Sequence, residues 1–399
     1  MRRSGVPASV PLRSDDRAIA AGSGAHDSGG IRQSVSGDRR RPLRPGVAWL
    51  DGVVRASGSA DGSAGSLSGG RQRASGARRA DGGAVGPTSG GERDDGPGFD
   101  RPVDPGGYAW WYVDALSDDG RHALTIIAFI GSVFSPYYAW SGRRDPLDHC
   151  AVNVALYGPN GKRWAMTERG RGRVTREARA LAIGTSALSW DGAGLTIDID
   201  EVAAPLPRRI RGVVRIEPGG VNNERFALDA AGRHIWRPIA PAARVSVALS
   251  APDLRWGGDG YLDMNAGAEP LEAAFSDWTW SRAPLSKGSA ILYDARRRVD
   301  GRRVLALRFD KSGRCERMEP PPVARLPATG WRVVRQTRAD DGEALVLRGF
   351  EDAPFYARSL VSARLFGERV AAVHESLSLD RFANPLVRLM LPFRMPRRP

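Results

Sequence analysis

Alternation of apolar and polar residues dominates the chain from Phe99 onward. Residues 195–200 and 245–250 each place an apolar side chain at every second position. This period of two is typical of strands with one face buried and the other exposed. The pattern therefore predicts an all-β protein built from short strands.

Turn signals separate these strands and indicate how they pair. Asp-Gly occurs at 191–192, 300–301 and 341–342, between alternating segments. Asp-Gly favours the type I′ turns that join antiparallel neighbours in a hairpin. Since no long helical stripe interrupts the strands, we expect antiparallel barrels or sandwiches, and two barrels in tandem fit about 300 residues.

The boundary between two such domains is predicted near residue 250. A Pro-rich stretch at 237–242 and a Gly-rich turn at 256–260 bracket this position. The predicted domains are residues 99–250 and 251–399. A site formed by residues on both sides of the boundary would lie where two domains meet, which is a common place for ligand clefts.

Residues 1–98 differ in kind from the rest of the chain. They contain a single aromatic residue, Trp49, and consist mainly of Gly, Ser, Ala, Arg and Asp. Such a composition buries too little apolar surface to offset the entropy lost on ordering. We therefore predict that residues 1–98 form a disordered low-complexity extension.

The net charge of +14 favours either nucleic acid or an anionic membrane surface as a partner. At the C-terminus, residues 386–399 mix large apolar side chains with arginines. This segment is predicted either to lie in a membrane interface or to dock on the protein with a solvated basic tail. The longest apolar run, residues 124–134, is too short to span a bilayer.

The two cysteines, Cys150 and Cys315, form neither a disulfide framework nor a zinc motif. No metal site is predicted, and free thiols suit a reducing cytoplasm. We therefore expect a cytoplasmic protein that contacts a membrane peripherally without crossing it.

Aromatic residues are concentrated in three segments, 108–112, 134–140 and 277–282. These segments are mostly poor in Lys and Arg, which argues against a platform for nucleic acid. They fit either ordinary barrel packing or the lining of a long apolar pocket. Under the second interpretation, the predicted substrate-binding residues are Tyr137, Tyr138, Trp140, Trp278 and Trp280.

Two short pairs carry the candidate chemistry. His234 and Trp236 are two residues apart, as are Tyr261 and Asp263. On strands, both members of each pair would face the same side. The four residues would combine a carboxyl group, an imidazole and two electron-rich rings, which suits protonation of an apolar substrate and stabilisation of the resulting cation.

Several longer motifs occur in the order found in one enzyme family. They are Phe-Ser-Pro-Tyr-Tyr-Ala-Trp at 134–140, His-Cys-Ala-Val-Asn-Val-Ala-Leu-Tyr-Gly at 149–158, Arg-Trp-Ala-Met-Thr-Glu-Arg-Gly at 163–170, Gly-Tyr-Leu-Asp-Met-Asn at 260–265 and Asp-Trp-Thr-Trp-Ser-Arg at 277–282. From Phe99 to its end, the chain resembles the bacterial carotenoid 1,2-hydratases, also called hydroxyneurosporene synthases. The resemblance implies two lipocalin-like barrels, no cofactor, and addition of water to the terminal double bond of an acyclic carotene such as neurosporene or lycopene. It also implies that the membrane contacted is the inner or photosynthetic membrane.

The resemblance also implies that His234, Trp236, Tyr261 and Asp263 are the catalytic residues. Asp263 is the expected proton donor, because burial among aromatic rings raises the pKa of a carboxyl group. Trp236 and Tyr261 would face the cation. His234 would either hold the pKa of Asp263 near working pH or orient or deprotonate the attacking water, and the sequence leaves these roles open.

Two rival functions share the expected scaffold. A non-enzymatic lipocalin-like carrier of a carotenoid or lipid would have the same aromatic lining but no use for a protonatable Asp263. A different enzyme acting on a terpenoid or lipid is the second rival, because a fold alone does not determine function.

Overall fold

The computed structural model describes residues 96–398, which form three β-sheets with a few short helices. Apart from its last three residues, the predicted disordered extension lies outside the described residues. The thirteen strands of the first sheet are, in spatial order, β22 (Arg397–Arg398), β4 (Gly161–Arg169), β3 (Cys150–Gly158), β2 (Ala123–Ile130), β1 (Tyr108–Ser117), β12 (Asp253–Gly267), β11 (His234–Ala251), β9 (Arg209–Pro218), β8 (Leu195–Val202), β7 (Ser186–Trp190), β6 (Ala180–Ile183) and β5 (Val174–Glu177), with β10 (Phe226–Ala227) paired to β11.

The second sheet has seven antiparallel strands. In spatial order they are β16 (Cys315–Arg317), β15 (Arg302–Asp310), β14 (Gly288–Arg297), β13 (Phe275–Leu285), β21 (Glu368–Ser378), β20 (Tyr356–Leu365) and β19 (Ala344–Asp352). A hairpin of β17 (Val323–Leu326) and β18 (Arg335–Arg338) forms the third sheet. The helices are α1 (Pro136–Trp140), α2 (Leu271–Ala274), α3 (Leu379–Ala383) and α4 (Pro385–Met390), and short 3-10 turns cover Pro146–Asp148, Arg171–Arg173 and Leu391–Phe393.

The first sheet curls strongly around its own apolar core. Its two halves approach each other where the backbone N–H of Ala204 donates to the carbonyl of Trp164, 3.0 Å away. The alternating segments 195–200 and 245–250 lie in β8 and β11 and bury one face in this core. The predicted all-β class and both strands are confirmed, because burial follows the period of two.

Asp300 and Gly301 form a tight hairpin turn between β14 and β15. Both residues have positive φ angles, 70° and 76°. Asp and Gly tolerate this left-handed conformation better than most residues. The predicted hairpin is present, but Arg296 pairs with Arg302, so Asp300 and Gly301 do not occupy the two central positions of a type I′ turn.

The Pro-rich stretch 237–242 interrupts the strand pairing within β11. The register between β11 and β12 shifts twice there, between Arg237 and Ala240 and between Ala240 and Ala243. Bulges accommodate proline, which lacks the N–H that a regular ladder needs. Residues 250 and 251, where the domain boundary is predicted, are the last two residues of β11, which pairs with β12 in the first sheet. The chain passes from the first sheet to the second between Gly267 and Phe275.

The outer face of β1, β11 and β12 packs against the second sheet in a core rich in aromatic residues. Within β1, Trp111 and Val113 point into the curled sheet, whereas Trp110 and Tyr112 point toward the second sheet. Both faces of β1 are consequently buried. The core between the two sheets contains the candidate site.

Candidate active site

Asp263 lies at the centre of the core between the sheets and accepts three hydrogen bonds. Trp236 Nε1 donates to Asp263 Oδ2 over 2.8 Å, and the hydroxyl of Tyr261 donates to the same oxygen over 2.7 Å. Asn265 Nδ2 donates to Oδ1 over 3.2 Å. The period of two on β12 places Tyr261, Asp263 and Asn265 on one face, and β11 supplies Trp236 from the adjacent strand.

The environment of Asp263 raises its pKa to about 7. Burial is the main cause, because it removes water from the charged form, and the negative charge of Glu375 adds to the rise. The bonds from Trp236, Tyr261 and Asn265 act in the opposite direction by stabilising the carboxylate. These opposing effects leave a carboxyl group able to hold or release a proton near neutral pH.

Aromatic rings from both sheets surround this carboxyl group. The ring centroids of Trp236 and Tyr293 are 5.4 Å apart, and those of Tyr261 and Trp280 are 5.3 Å apart. All four side chains are buried. The indole Nε1 of Trp280 is buried without a hydrogen-bond partner, so it is a free donor within this ring cluster.

His234 lies in the same core but has other partners. Its Nδ1 is 2.9 Å from the hydroxyl of Tyr108, and its Nε2 is 3.4 Å from Glu269 Oε1. Burial lowers the pKa of His234, and the nearby carboxylates of Asp229 and Glu269 act in the opposite direction. Within the described residues, no hydrogen bond joins His234 to Asp263. Of the four predicted catalytic residues, three therefore share direct bonds and His234 stands apart.

A buried ion network connects the two sheets beside Asp263. Asp114 of β1 binds Arg282 of β13 at 2.9 Å and also pairs with Arg358 of β20. Arg358 pairs with Glu375 as well, and the hydroxyl of Tyr112 donates to Glu375 over 2.8 Å. Two carboxylates and two guanidinium groups balance each other, as buried charges require.

The structure separates the predicted substrate-binding residues into two groups. Trp278 and Trp280 face the core between the sheets, and Trp278 stands 5.8 Å from Tyr293, measured between ring centroids. Tyr137, Tyr138 and Trp140 lie on α1 instead. The hydroxyl of Tyr138 donates to the backbone carbonyl of Gly107. Tyr137 packs against Trp140, and 52% of the surface of Trp140 is exposed.

Several residues of the site are not among the predicted catalytic or substrate-binding residues. They are Tyr108, Tyr112, Asp114, Asn265, Tyr293, Arg358 and Glu375. The sequence of β1 does carry a pattern that points to four of the side chains around the site. Tyr108, Trp110, Tyr112 and Asp114 alternate with apolar residues, which places all four on one face of the strand. Within residues 96–398, no group of three or more His, Cys, Asp or Glu side chains has the arrangement of a metal site.

Comparison with known proteins bears on the activity of this site. The model of the family described as carotenoid hydratase CrtC matches residues 126–399. The chain belongs to the carotenoid hydratase family. The predicted family and its hydro-lyase activity, hydration of an acyclic carotenoid, are thereby confirmed.

Relatives at high identity carry the same description. An acyclic carotenoid 1,2-hydratase of Thiocapsa roseopersicina is 57% identical over 377 residues, covering 93% of each chain. Another from Rubrivivax gelatinosus is 51% identical over 405 residues and covers 100% of each chain. A third, from Cereibacter sphaeroides, is 44% identical over 69% of this chain and 98% of its own length.

Proposed function

We propose that this hydratase works by acid catalysis, with Asp263 as the proton donor to the terminal C1–C2 double bond of an acyclic carotene. The proton would pass from the carboxyl group to C2, and the π electrons would leave C1 as a tertiary cation. Water would then bond to C1 and release a proton, giving a 1-hydroxy carotenoid. The observation that carries this proposal is a fully buried carboxyl group whose pKa is raised to about 7.

The hydrogen bonds of Asp263 suggest which oxygen carries the proton. Oδ2 accepts from both Trp236 and Tyr261, as a carbonyl or carboxylate oxygen does. Oδ1 has only the longer bond from Asn265. We infer that Oδ1 carries the proton, and that the donors on Oδ2 stabilise the carboxylate left after the transfer.

The rings around Asp263 are suited to stabilise the cation. Trp236 and Tyr261 bond to Asp263 directly, so a carbon protonated by this group would form beside both rings. A desolvated cation over an aromatic face gains about 2 kcal/mol, roughly thirty-fold in rate if the gain arises only in the transition state. Trp280 Nε1, which is buried without a hydrogen-bond partner, would donate to the incoming water or the new hydroxyl group.

Among the described residues, His234 bonds to Tyr108 and Glu269 and not to Asp263, so its role is a different one. We propose that Tyr108, His234 and Glu269 form a proton path between the core and the surface, because Glu269 is partly exposed and His234 bonds to both neighbours. The proton released by the attacking water would leave along this path. Asp263 would regain a proton from solvent by the same route.

The substrate class follows from the core and from the family. Aromatic and aliphatic side chains between the sheets favour a long apolar polyene, such as neurosporene or lycopene. Protonation and capture of the cation by water require no redox or group-transfer cofactor, so we propose that the reaction proceeds without one.

We propose that the protein takes this substrate from a membrane at the cytoplasmic face. No helix among the described residues is long and apolar enough to cross a bilayer. Leu386 and Leu389 are three residues apart on α4, which places them on one helix face, and Phe393 follows in the next turn; they are 71%, 65% and 68% exposed. This apolar surface, beside the basic C-terminus, suits peripheral contact with an anionic inner or photosynthetic membrane.

We further propose that the two large sheets correspond to two lipocalin-like units. In support, the first sheet curls around its own apolar core, and the outer face of the second forms a separate core of small side chains under the β17–β18 hairpin. The boundary between these units would then fall between Gly267 and Phe275, where the chain changes sheet.

Hydration can be tested directly with the full chain and lycopene dispersed in vesicles. We expect a product heavier by one water, with deuterium at C2 when the reaction runs in D₂O. A carotenoid carrier would bind lycopene and leave its mass unchanged. Soluble, folded protein that yields no hydroxylated product would contradict the proposal and favour the carrier or another enzyme.

A further inference from the structure

A basic pocket lies away from Asp263, at the edge of the first sheet near the C-terminus. Its volume is about 220 Å³, well above the roughly 10–15 Å³ that one water needs by the same measure. Strands β4, β8, β9 and β22 and the loops before β5 and β7 form its walls. The lining residues with polar side chains are Thr167, Arg169, Arg173, Thr185, Asp200, Arg209 and Arg398.

Arg169 is the buried element of this pocket. Its side chain binds Glu201 through Nη2 at 3.3 Å, whereas Nη1 is buried without a hydrogen-bond partner. The residue is only 8% exposed. An unpaired guanidinium donor inside a protein is costly, because it has lost its bonds to water without gaining others.

Gly184 allows this guanidinium to lie in the wall of the pocket. Gly184 has φ +66°, and a Cβ at this position would collide with Nε of Arg169. Glycine therefore serves both the turn and the close approach of the side chain. The backbone at Gly184 therefore confines the side chain of Arg169, whereas the side chain of a surface arginine is free to move.

Positive charge in the pocket is only partly balanced. Asp200 is occupied by a two-point pairing with Arg209, at 2.7 and 2.5 Å. Within residues 96–398, neither Arg173 nor Arg398 forms an ion pair. Burial lowers the pKa of Arg169, and the charges of Arg398 and Arg173 lower it further. Three guanidinium groups thus face one cavity with Glu201 as the remaining carboxyl group beside them.

We propose that this pocket binds a phosphate oxyanion, with Arg169 Nη1 as the buried donor and Arg173 and Arg398 closing over it from the rim. Guanidinium groups match phosphate oxygens in geometry and charge, and such bonds are stronger than bonds between neutral groups. The same chemistry is offered by inorganic phosphate and by the headgroup of an anionic phospholipid. Arg398 follows the exposed Phe393 by only five residues, so the pocket and the apolar surface of α4 are close in sequence.

Calorimetric titration of inorganic phosphate into the full chain, at constant ionic strength, tests this site. We expect saturable binding, weakened about tenfold or more by Arg169→Gln and by Arg173→Gln, since each removes a charge-assisted bond. Arg173 is exposed, so its variant keeps the test valid if Arg169→Gln does not fold. Arg325→Gln, an exposed arginine on β17, is the matched control and should bind phosphate as the unaltered protein does.

Vesicle flotation then distinguishes the two sources of phosphate. If the natural ligand is a lipid headgroup, phosphatidic acid in phosphatidylcholine vesicles should raise binding of the unaltered protein and not of Arg173→Gln. If it is free phosphate, both proteins should float equally while the calorimetric difference remains. Absence of saturable phosphate binding, or equal affinity in Arg169→Gln, Arg173→Gln and the control, would overturn the proposal.

Discussion

At the scale of single residues, the proposed mechanism depends on the balance of effects that sets the pKa of Asp263. Burial raises its pKa, and three hydrogen-bond donors limit the rise. Too high a pKa would make a poor acid, and too low a pKa would leave no proton at neutral pH. The value of about 7 lies between these limits.

The activity should therefore decline at alkaline pH. Because the proposed mechanism requires a protonated Asp263, the rate is expected to be constant well below pH 7 and to fall about tenfold per pH unit well above it. The measurement is the initial rate of hydration between pH 5 and 9, with binding of carotene followed separately. A rate that rises through pH 7 would show that the reactive form of the enzyme is the deprotonated one.

Tyr261 should tune this acid as well as face the cation. Tyr261→Phe removes one donor to Oδ2, so the pKa of Asp263 should rise and its alkaline decline should move to higher pH. We expect a rate about tenfold lower at pH 7, since the remaining carboxylate loses a stabilising bond. A merely structural tyrosine would lower the rate without moving the pH profile.

At the scale of strands and sheets, the buried ion network fixes the second sheet against β1. Asp114 contacts both Arg282 and Arg358, and all three side chains are buried. If Asp114 is removed, the positive charges of Arg282 and Arg358 stay in the core and each loses a carboxylate partner. Such a change acts on the contact between the sheets, and so on the geometry of the whole site.

Asp114→Ala should lower the free energy of unfolding by about 3–5 kcal/mol, as expected when one partner of a buried ion pair is removed. Asp118→Ala, at the end of the same strand region, breaks an exposed pair with Arg244 and should cost less than about 1 kcal/mol. Denaturant unfolding of both variants measures the difference. Equal losses would mean that the network contributes no more than a surface pair.

The strands and the class of reaction were largely predictable from the sequence, but the way in which the strands pair was not. Alternation and Asp-Gly turns gave β8, β11 and the hairpin at Asp300, because these features are local in sequence. The side chains that complete the site come from β1, β14, β20 and β21, and only pairing over long sequence distances brings them together. The prolines at 238 and 241 lie where the register of β11 shifts, and a bulge inside a strand can have the same composition as a linker.

At the scale of the whole molecule, the exposed side chains of α4 and the following turn are expected to reach the membrane. Leu389→Ser and Phe393→Ser together should reduce binding to anionic vesicles about tenfold or more, because each apolar side chain transferred from water contributes about 1.5–3 kcal/mol. Leu345→Ser is the control, since Leu345 is 65% exposed on β19. Vesicle flotation that responds equally to both changes would contradict a specific role for this surface.

The central claim, that Asp263 delivers the proton, is tested most directly by comparing Asp263→Asn with Asp259→Asn. Both substitutions lie on β12, but Asp259 is at the surface and contacts Arg244. In the vesicle assay, Asp263→Asn should bind lycopene and lose at least about a thousand-fold in hydration rate, within the range of general acid catalysis. Asp259→Asn should hydrate lycopene normally. Hydration that persists in folded Asp263→Asn would show that another group protonates the double bond.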